Sequence, residues 1–263
     1  MFEQAASTLH LPRILCLHGG GTNAEIFSLQ CRSLTVHLNT QFRLVFAQGP
    51  FFCEPHPAII PVYKEYEPYR LWMRWLETQQ NLPADVVIGE IDYNIRTAMQ
   101  SDQGTGEWVG LMGFSQGANV AASMLYERQQ RISLEKNPDA AGFAGEKWRF
   151  GVLLAGRAPL VGLSELTEND EALRVAGEVP NWTADMKTPA GGKLKLPTVH
   201  VHGLLDAGLP LHQKLKDLYC DEEFASLIEW EGDHRVPFKT ADVRRVVDAT
   251  LLAAKNAGVP LDE

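Results

Sequence analysis

The pentapeptide Gly113-Phe114-Ser115-Gln116-Gly117 sets a serine between two glycines, directly after the apolar run 108–112 and ahead of a stretch rich in Ala, Met and Leu. A strand that turns sharply into a helix needs small residues on either side of the turn, because a Cβ there meets neighbouring backbone. Such an elbow leaves the Ser115 hydroxyl at a helix N-terminus, where backbone N–H groups point outward. A serine hydroxyl is a poor nucleophile and needs a base within hydrogen-bond reach. Of the eight histidines, His234 is the expected base, because it follows the last apolar run, 227–230. Its bland alternative is a solvated loop histidine. The preceding apolar run, 198–201, leads to Asp206. That carboxylate is the expected acid, holding His234 in one tautomer and stabilising its cation. Asp233 is a rival by proximity, but adjacent residues rarely face each other. Nucleophile, acid and base then occur in the order Ser, Asp, His.

Charge that develops on an attacked carbonyl oxygen needs preorganised donors. The Gln116 N–H, next after the nucleophile, supplies one. The second is expected from the glycine-rich loop His18-Gly-Gly-Gly21-Thr-Asn, with Gly20 as the candidate donor. The alternative is that these glycines only make a tight turn. No Gly-Lys-Ser/Thr follows them, so a phosphate-binding loop is a poor match. His18 reads as a scaffold residue beneath this loop. His200 and His202 alternate on one strand without a third ligand nearby, and no metal or other cofactor is expected. Phe51, Tyr69 and Trp72 belong to an aromatic segment that either walls an apolar pocket or forms a satellite core under a long loop. Arg157 lies just past the run 152–155, at a carboxyl strand end, where ligands bind in such sheets. It would contact an acyl chain, its carrier arm or nothing.

These residues need elements to hold them. Six short apolar runs, 14–17, 44–47, 108–112, 152–155, 198–201 and 227–230, are mostly continuous rather than alternating. Parallel strands covered on both faces read this way. Amphipathic stretches at 23–38, 83–101, 115–131, 211–219 and 240–255 lie between or after them. The alternation predicts an α/β fold: a mostly parallel six-stranded sheet with right-handed crossovers, flanked by helices. Segments 49–82 and 160–196 interrupt the rhythm with prolines, aromatics and polar residues. They read as insertions in a single domain spanning 1–263, the first lying over the site.

Composition narrows the class of protein. Hydrophobic residues are 45% and charged residues 22% of 263, which is ordinary globular usage. The net charge of −9, with no basic run, argues against nucleic acid and against an anionic membrane surface. No apolar stretch reaches the roughly 20 residues a spanning helix needs. Residues 1–13 lack a basic then apolar leader, and the C-terminal GVPLDE matches no lipidation or sorting signal. Cysteines at 16, 31, 53 and 220 form no C-x-x-C pair and read as reduced thiols. Cytoplasmic residence is the expectation.

The motifs LCLHGGGTN, GFSQG, LLAGRAPL, HVHGLLDAGLP and EGDHRVP occur in this order. Together they resemble the FSH group (family of serine hydrolases), from about residue 12 to about residue 255. Within it they are most similar to the fungal polyketide-cluster hydrolases and thioesterases of the lovastatin and citrinin type. The resemblance implies an α/β-hydrolase fold, with the family's nucleophile, acid and base on Ser115, Asp206 and His234. It implies a fungal enzyme that cleaves an acyl thioester or ester, and the likeness to the polyketide branch implies an acyl chain presented by the carrier domain of a polyketide synthase. The competing readings are a general carboxylesterase for small acyl esters and a non-catalytic ligand-binding protein that reuses the fold.

Overall fold

The computed structural model describes residues 8–183 and 185–261. Residues 1–7, where a leader would begin, and residues 262–263 of the C-terminal hexapeptide lie outside the described residues. Six strands form one sheet: β1 (Arg13–Leu17), β2 (Arg43–Ala47), β5 (Trp108–Phe114), β6 (Phe150–Leu154), β7 (Thr198–Gly203) and β8 (Ala225–Trp230). Two further strands, β3 (Phe51–Phe52) and β4 (Arg70–Leu71), make a separate antiparallel ribbon. The main sheet runs in the order β2-β1-β5-β6-β7-β8, and every neighbouring pair is parallel. Strands β5, β6 and β7 are buried at every residue. That burial explains the continuous apolar sequences of β5 and β6, since no position faces water, while β7 buries Thr198, His200 and His202 among its valines.

Helices cover both faces. On one side, α4 (Ala84–Ser101), α5 (Gln116–Glu135) and α6 (Leu209–Tyr219) pack Ile91, Ile95, Val120, Leu125 and Leu215 against Leu15 and Leu111 of the sheet. On the other, α1 (Ala24–Gln30), α2 (Arg32–Leu38) and α7 (Thr240–Asn256) pack Phe27, Leu34, Val243 and Val246 against Ile14 and Met112. Leu15 and Ile14 enter opposite cores because successive strand side chains point to opposite faces.

One expected helix, 23–38, is two. Cys31 leaves helical geometry at φ −84°, ψ 1° and caps the end of α1 while opening α2. The apolar period continues across the break, so the pattern could not reveal it. Segment 49–82 carries the ribbon β3–β4 and a short helix, α3 (Ile60–Tyr63). The described residues between β6 and β7 contain neither helix nor strand, only isolated bridges.

Candidate active site

Five connections that leave carboxyl strand ends meet at one edge of the sheet: the loop 18–23 after β1, Ser115 after β5, Arg157 after β6, Asp206 after β7 and His234 after β8. The β5–α5 turn is the tightest of them. Ser115 sits at φ 53°, ψ −113°, a backbone conformation that costs a non-glycine residue about 1–3 kcal/mol. Its N–H is held by the Leu154 carbonyl at 2.8 Å. A Cβ on Gly113 would collide with Gly117 O and Ala118 N, and one on Gly117 with Leu17 O. Both glycines are therefore demanded by close backbone approach, one within the elbow and one against the end of β1.

The turn projects the Ser115 hydroxyl toward His234. His234 Nε2 lies 2.9 Å from Ser115 Oγ, and its Nδ1 lies 2.5 Å from Asp206 Oδ2. A carboxylate only accepts, so the tautomer with its proton on Nδ1 satisfies both contacts and leaves Nε2 free to take the serine proton. Asp206 Oδ1 accepts from the Gly208 N–H at 2.7 Å. Burial alone would raise the Asp206 pKa. The His234 hydrogen bond, the His234 charge and the Gly208 N–H outweigh it and bring the carboxyl down to about 2. Asp233 instead pairs with Arg235 at 3.0 Å, away from the imidazole.

Gln116 opens α5, so its N–H belongs to the orphan donors of a helix start. Gly20 faces the same cleft. A Cβ there would come within 2.5 Å of the Trp75 ring. His18 is fully buried below this loop, with Nδ1 2.8 Å from Gly19 O and Nε2 accepting from the Gly49 N–H at 2.8 Å. Because Gly49 must donate, the His18 proton resides on Nδ1. Burial lowers the His18 pKa to about 4, which keeps the ring neutral. Thr22 Oγ1 donates to Gly19 O at 2.6 Å and tightens the same turn.

Above these groups opens a cleft of about 460 Å³, within the usual range for small-molecule sites. Its apolar wall includes Ile59, Val62, Tyr63, Trp75, Trp182 and Phe238. Three of the four residues expected in the pocket are elsewhere. Trp72 is fully buried in the main core and donates through Nε1 to His18 O at 2.9 Å. Tyr69 is buried with Ile26 and Ile59, and its hydroxyl donates to the carbonyls of Tyr63 and Lys64. Phe51 pairs with Leu71 in the ribbon and lines a different hollow. Arg157 does line the cleft. The aromatic segment is thus both things it was read as: Tyr63 and Trp75 wall the cleft, while Tyr69 and Tyr66 belong to a small satellite core.

The match to known sequences covers residues 7–246 with the family described as Serine hydrolase (FSH1). The chain belongs to that family. An esterase of Monascus ruber, pigG, is 48% identical over 96% of this chain and 95% of its own. The Emericella nidulans esterase dbaE is 45% identical over 98% and 95%. Solved structures of the same architecture include acyl-protein thioesterase 2 of Zea mays, at TM-score 0.51 and 15% identity over 93% of this chain and 94% of that one. A carboxylesterase from Mesorhizobium loti aligns at TM-score 0.52 and 14% identity, over 94% and 91%. At that identity the likeness speaks for the fold alone. The fold is that of the α/β-hydrolases, and this FSH1 chain is a serine hydrolase.

Sequence reasoning missed His212. This side chain of α6 is wholly buried, with Nε2 3.7 Å from Asp206 Oδ2 and no hydrogen-bond partner on either ring nitrogen. Burial pushes its pKa down to about 3, against the pull of Asp206. Asp206, His212 and His234 offer ligand atoms within 4.8 Å of one another, but the Asp206–His234 hydrogen bond already occupies the space between two of the three. His212 lies six residues beyond Asp206 on an amphipathic helix, where its sequence signal is that of any core position. The pocket also draws Arg174, Pro180 and Trp182 from the polar segment 160–196, which carried no signal of facing a ligand.

No helix among the described residues is long and apolar enough to cross a membrane.

Proposed function

We propose that this FSH1-family hydrolase cleaves an acyl thioester or ester through an acyl-serine intermediate, and that in fungal secondary metabolism it releases or edits a polyketide acyl chain held on a synthase carrier domain. The observation that carries the chemistry is the continuous hydrogen-bond chain from Ser115 through His234 to Asp206 at the base of a partly apolar cleft. Neutral His234 takes the Ser115 proton as Oγ attacks the carbonyl carbon. The resulting oxyanion is received by the N–H groups of Gln116 and Gly20. Asp206 holds the imidazolium that forms. The His234 cation then delivers its proton to the leaving group, and a water molecule, activated by the same imidazole, releases the acid.

A thiolate leaving group needs little protonation, because thiols ionise near pH 8.5. Thioesters are accordingly undemanding substrates for such a site. The carrier-bound substrate is supported by the likeness of motifs to polyketide-cluster hydrolases. The esterase names of the relatives in Monascus ruber and Emericella nidulans support the simpler reading too, a carboxylesterase for small acyl esters.

The test loads an acyl carrier with its synthase-built chain, adds the enzyme and follows released acid by mass spectrometry, beside hydrolysis of a short aryl ester. Release with kcat/KM well above that of the aryl ester supports the carrier-bound substrate. The reverse ratio supports the carboxylesterase. Ser115→Ala should abolish turnover of both and labelling by a fluorophosphonate. Undiminished turnover in that variant would end the acyl-serine mechanism.

A further inference from the structure

The cleft has a charge pattern opposite to that of the chain. The whole protein carries a net −9, yet the residues lining the cleft include Arg32, Arg157, Arg174 and Arg235 and not one aspartate or glutamate. Three of these guanidiniums are occupied. Arg235 pairs with Asp233, Arg32 donates to Leu29 O, and Arg174 donates to Met73 Sδ and to the carbonyls of Arg74 and Glu178. Arg157 differs. Among the described residues its guanidinium makes no hydrogen bond or ion pair; its Nε is buried without a partner, as is that of Arg174, whose terminal nitrogens are bonded. Burying such a donor unpaired is unfavourable, and a charged partner is the strongest remedy.

Its position is held firmly. Asn119 Nδ2 donates to the carbonyls of Arg157 and Pro159 at 2.8 and 2.6 Å, fixing the backbone after β6 against α5. The guanidinium lies over Gly208, where a Cβ would come 2.8 Å from Nε. Gly208 in turn donates to Asp206. The unpaired cation therefore sits beside the acid loop and opens on the same cleft as Ser115.

We infer that Arg157 is a binding site for an anionic oxygen group on the substrate, so that the enzyme selects acyl compounds carrying a negative charge. This rests on the acyl-serine reading above and adds the substrate class. The group is a planar carboxylate on the acyl chain or a phosphate on the leaving-group arm. Both suit a guanidinium fork. The apolar wall of Val62, Trp75 and Trp182 takes the hydrocarbon part, and the carboxylate-free lining draws the anion in.

The experiment compares matched thioesters on the intact protein. One has a neutral acyl chain on N-acetylcysteamine, one carries a terminal carboxylate on that chain, and one places the neutral chain on pantetheine 4′-phosphate. Wild type should favour at least one anionic member over the neutral one by about 10- to 100-fold in kcat/KM, expressed in KM and eroded by salt. Which member is favoured identifies the source of the anion. Arg157→Gln should erase most of that ratio, and Arg157→Lys should restore part of it. The wild-type comparison stands even if a variant folds poorly. Turnover of the neutral thioester with anionic members no better would overturn this inference and leave the acyl-serine reading intact. Failure to turn over any of them, with no fluorophosphonate labelling, would overturn both.

Discussion

At the floor of the cleft, Ser115, Asp206 and His234 each occupy a short connection that follows a strand of the parallel sheet. At its wall, Tyr63 and Trp75 belong to an irregular segment joined to the sheet by scattered hydrogen bonds. The floor inherits its geometry from strand register: once β5, β7 and β8 align, the three side chains are within reach. The wall is fastened residue by residue. Gly21 N–H donates to Arg70 O, Arg70 N–H to Thr22 O, and the Gln116 side chain accepts from Trp72 N–H and donates to Met73 O. Asn23 caps α1 with one side-chain atom and with the other reaches the carbonyls of Tyr66 and Pro68. A nucleophile needs placement within a fraction of an ångström, whereas a hydrophobic wall needs only shape and tolerates a looser attachment.

This contrast breaks if altering the floor disturbs folding, or if altering the wall's anchor disturbs only chemistry. Asp206→Asn keeps the volume but presents an amide to His234 and favours the wrong tautomer. Its kcat should fall roughly 10⁴-fold, as read by steady-state kinetics, a loss far beyond the modest destabilisation, read by thermal unfolding, of giving up a carboxylate whose pKa the fold brings down to about 2. A loss under tenfold would mean that another group orients the imidazole, with His212 the first suspect.

Trp72→Ala removes a side chain from the core and the donor that holds His18 O. It should lower stability by about 3–5 kcal/mol, measured by urea unfolding. Loss of activity without loss of stability would move Trp72 from the scaffold into the site.

His18 tests the joint between the two regions through pH. Its folded pKa is about 4, against 6.5 for the ordinary side chain. As pH falls below 6.5 the unfolded chain takes up a proton that the folded ring refuses, so folding weakens until about pH 4. Relative to a non-titrating His18→Gln variant, wild type should lose about 3 kcal/mol across that window. Parallel pH–stability curves for the two proteins would show that the ring is not held neutral.

The legibility of the molecule in its sequence follows the same division. The inner strands were readable because they are buried on both faces, so that β5 and β6 are apolar throughout and β7 sets valines between its buried Thr198, His200 and His202. Both edge strands were readable too, although β8 alternates in burial along part of its length. Gly113 and Gly117 announced the elbow because backbone sterics there accept nothing larger. Asp206 and His234 were found by chain order after their strands, and by the likeness of HVHGLLDAGLP and EGDHRVP to the motifs of the family. Tyr69 and Trp72 were misplaced because an aromatic's type says that it will be covered, not by what. Trp72 turns inward to His18 O while Trp75, three residues on, turns to the cleft.

The amino-acid sequence by itself determined the family, the order of strands and helices along the chain, and which serine, aspartate and histidine are candidates for chemistry. The elements and the elbow rest on local sterics and patterned burial, which neighbouring residues encode; the acid and base rest on their order along the chain, and the family on the likeness of its motifs. The tertiary structure alone decided the hydrogen-bond chain between residues 115, 234 and 206, the buried imidazole of His212 beside the acid, and the unpaired Arg157 in a cleft free of carboxylates. Those features depend on the direction of side chains brought together from far apart in the chain, and direction is settled only when the packed core and the loops around it close.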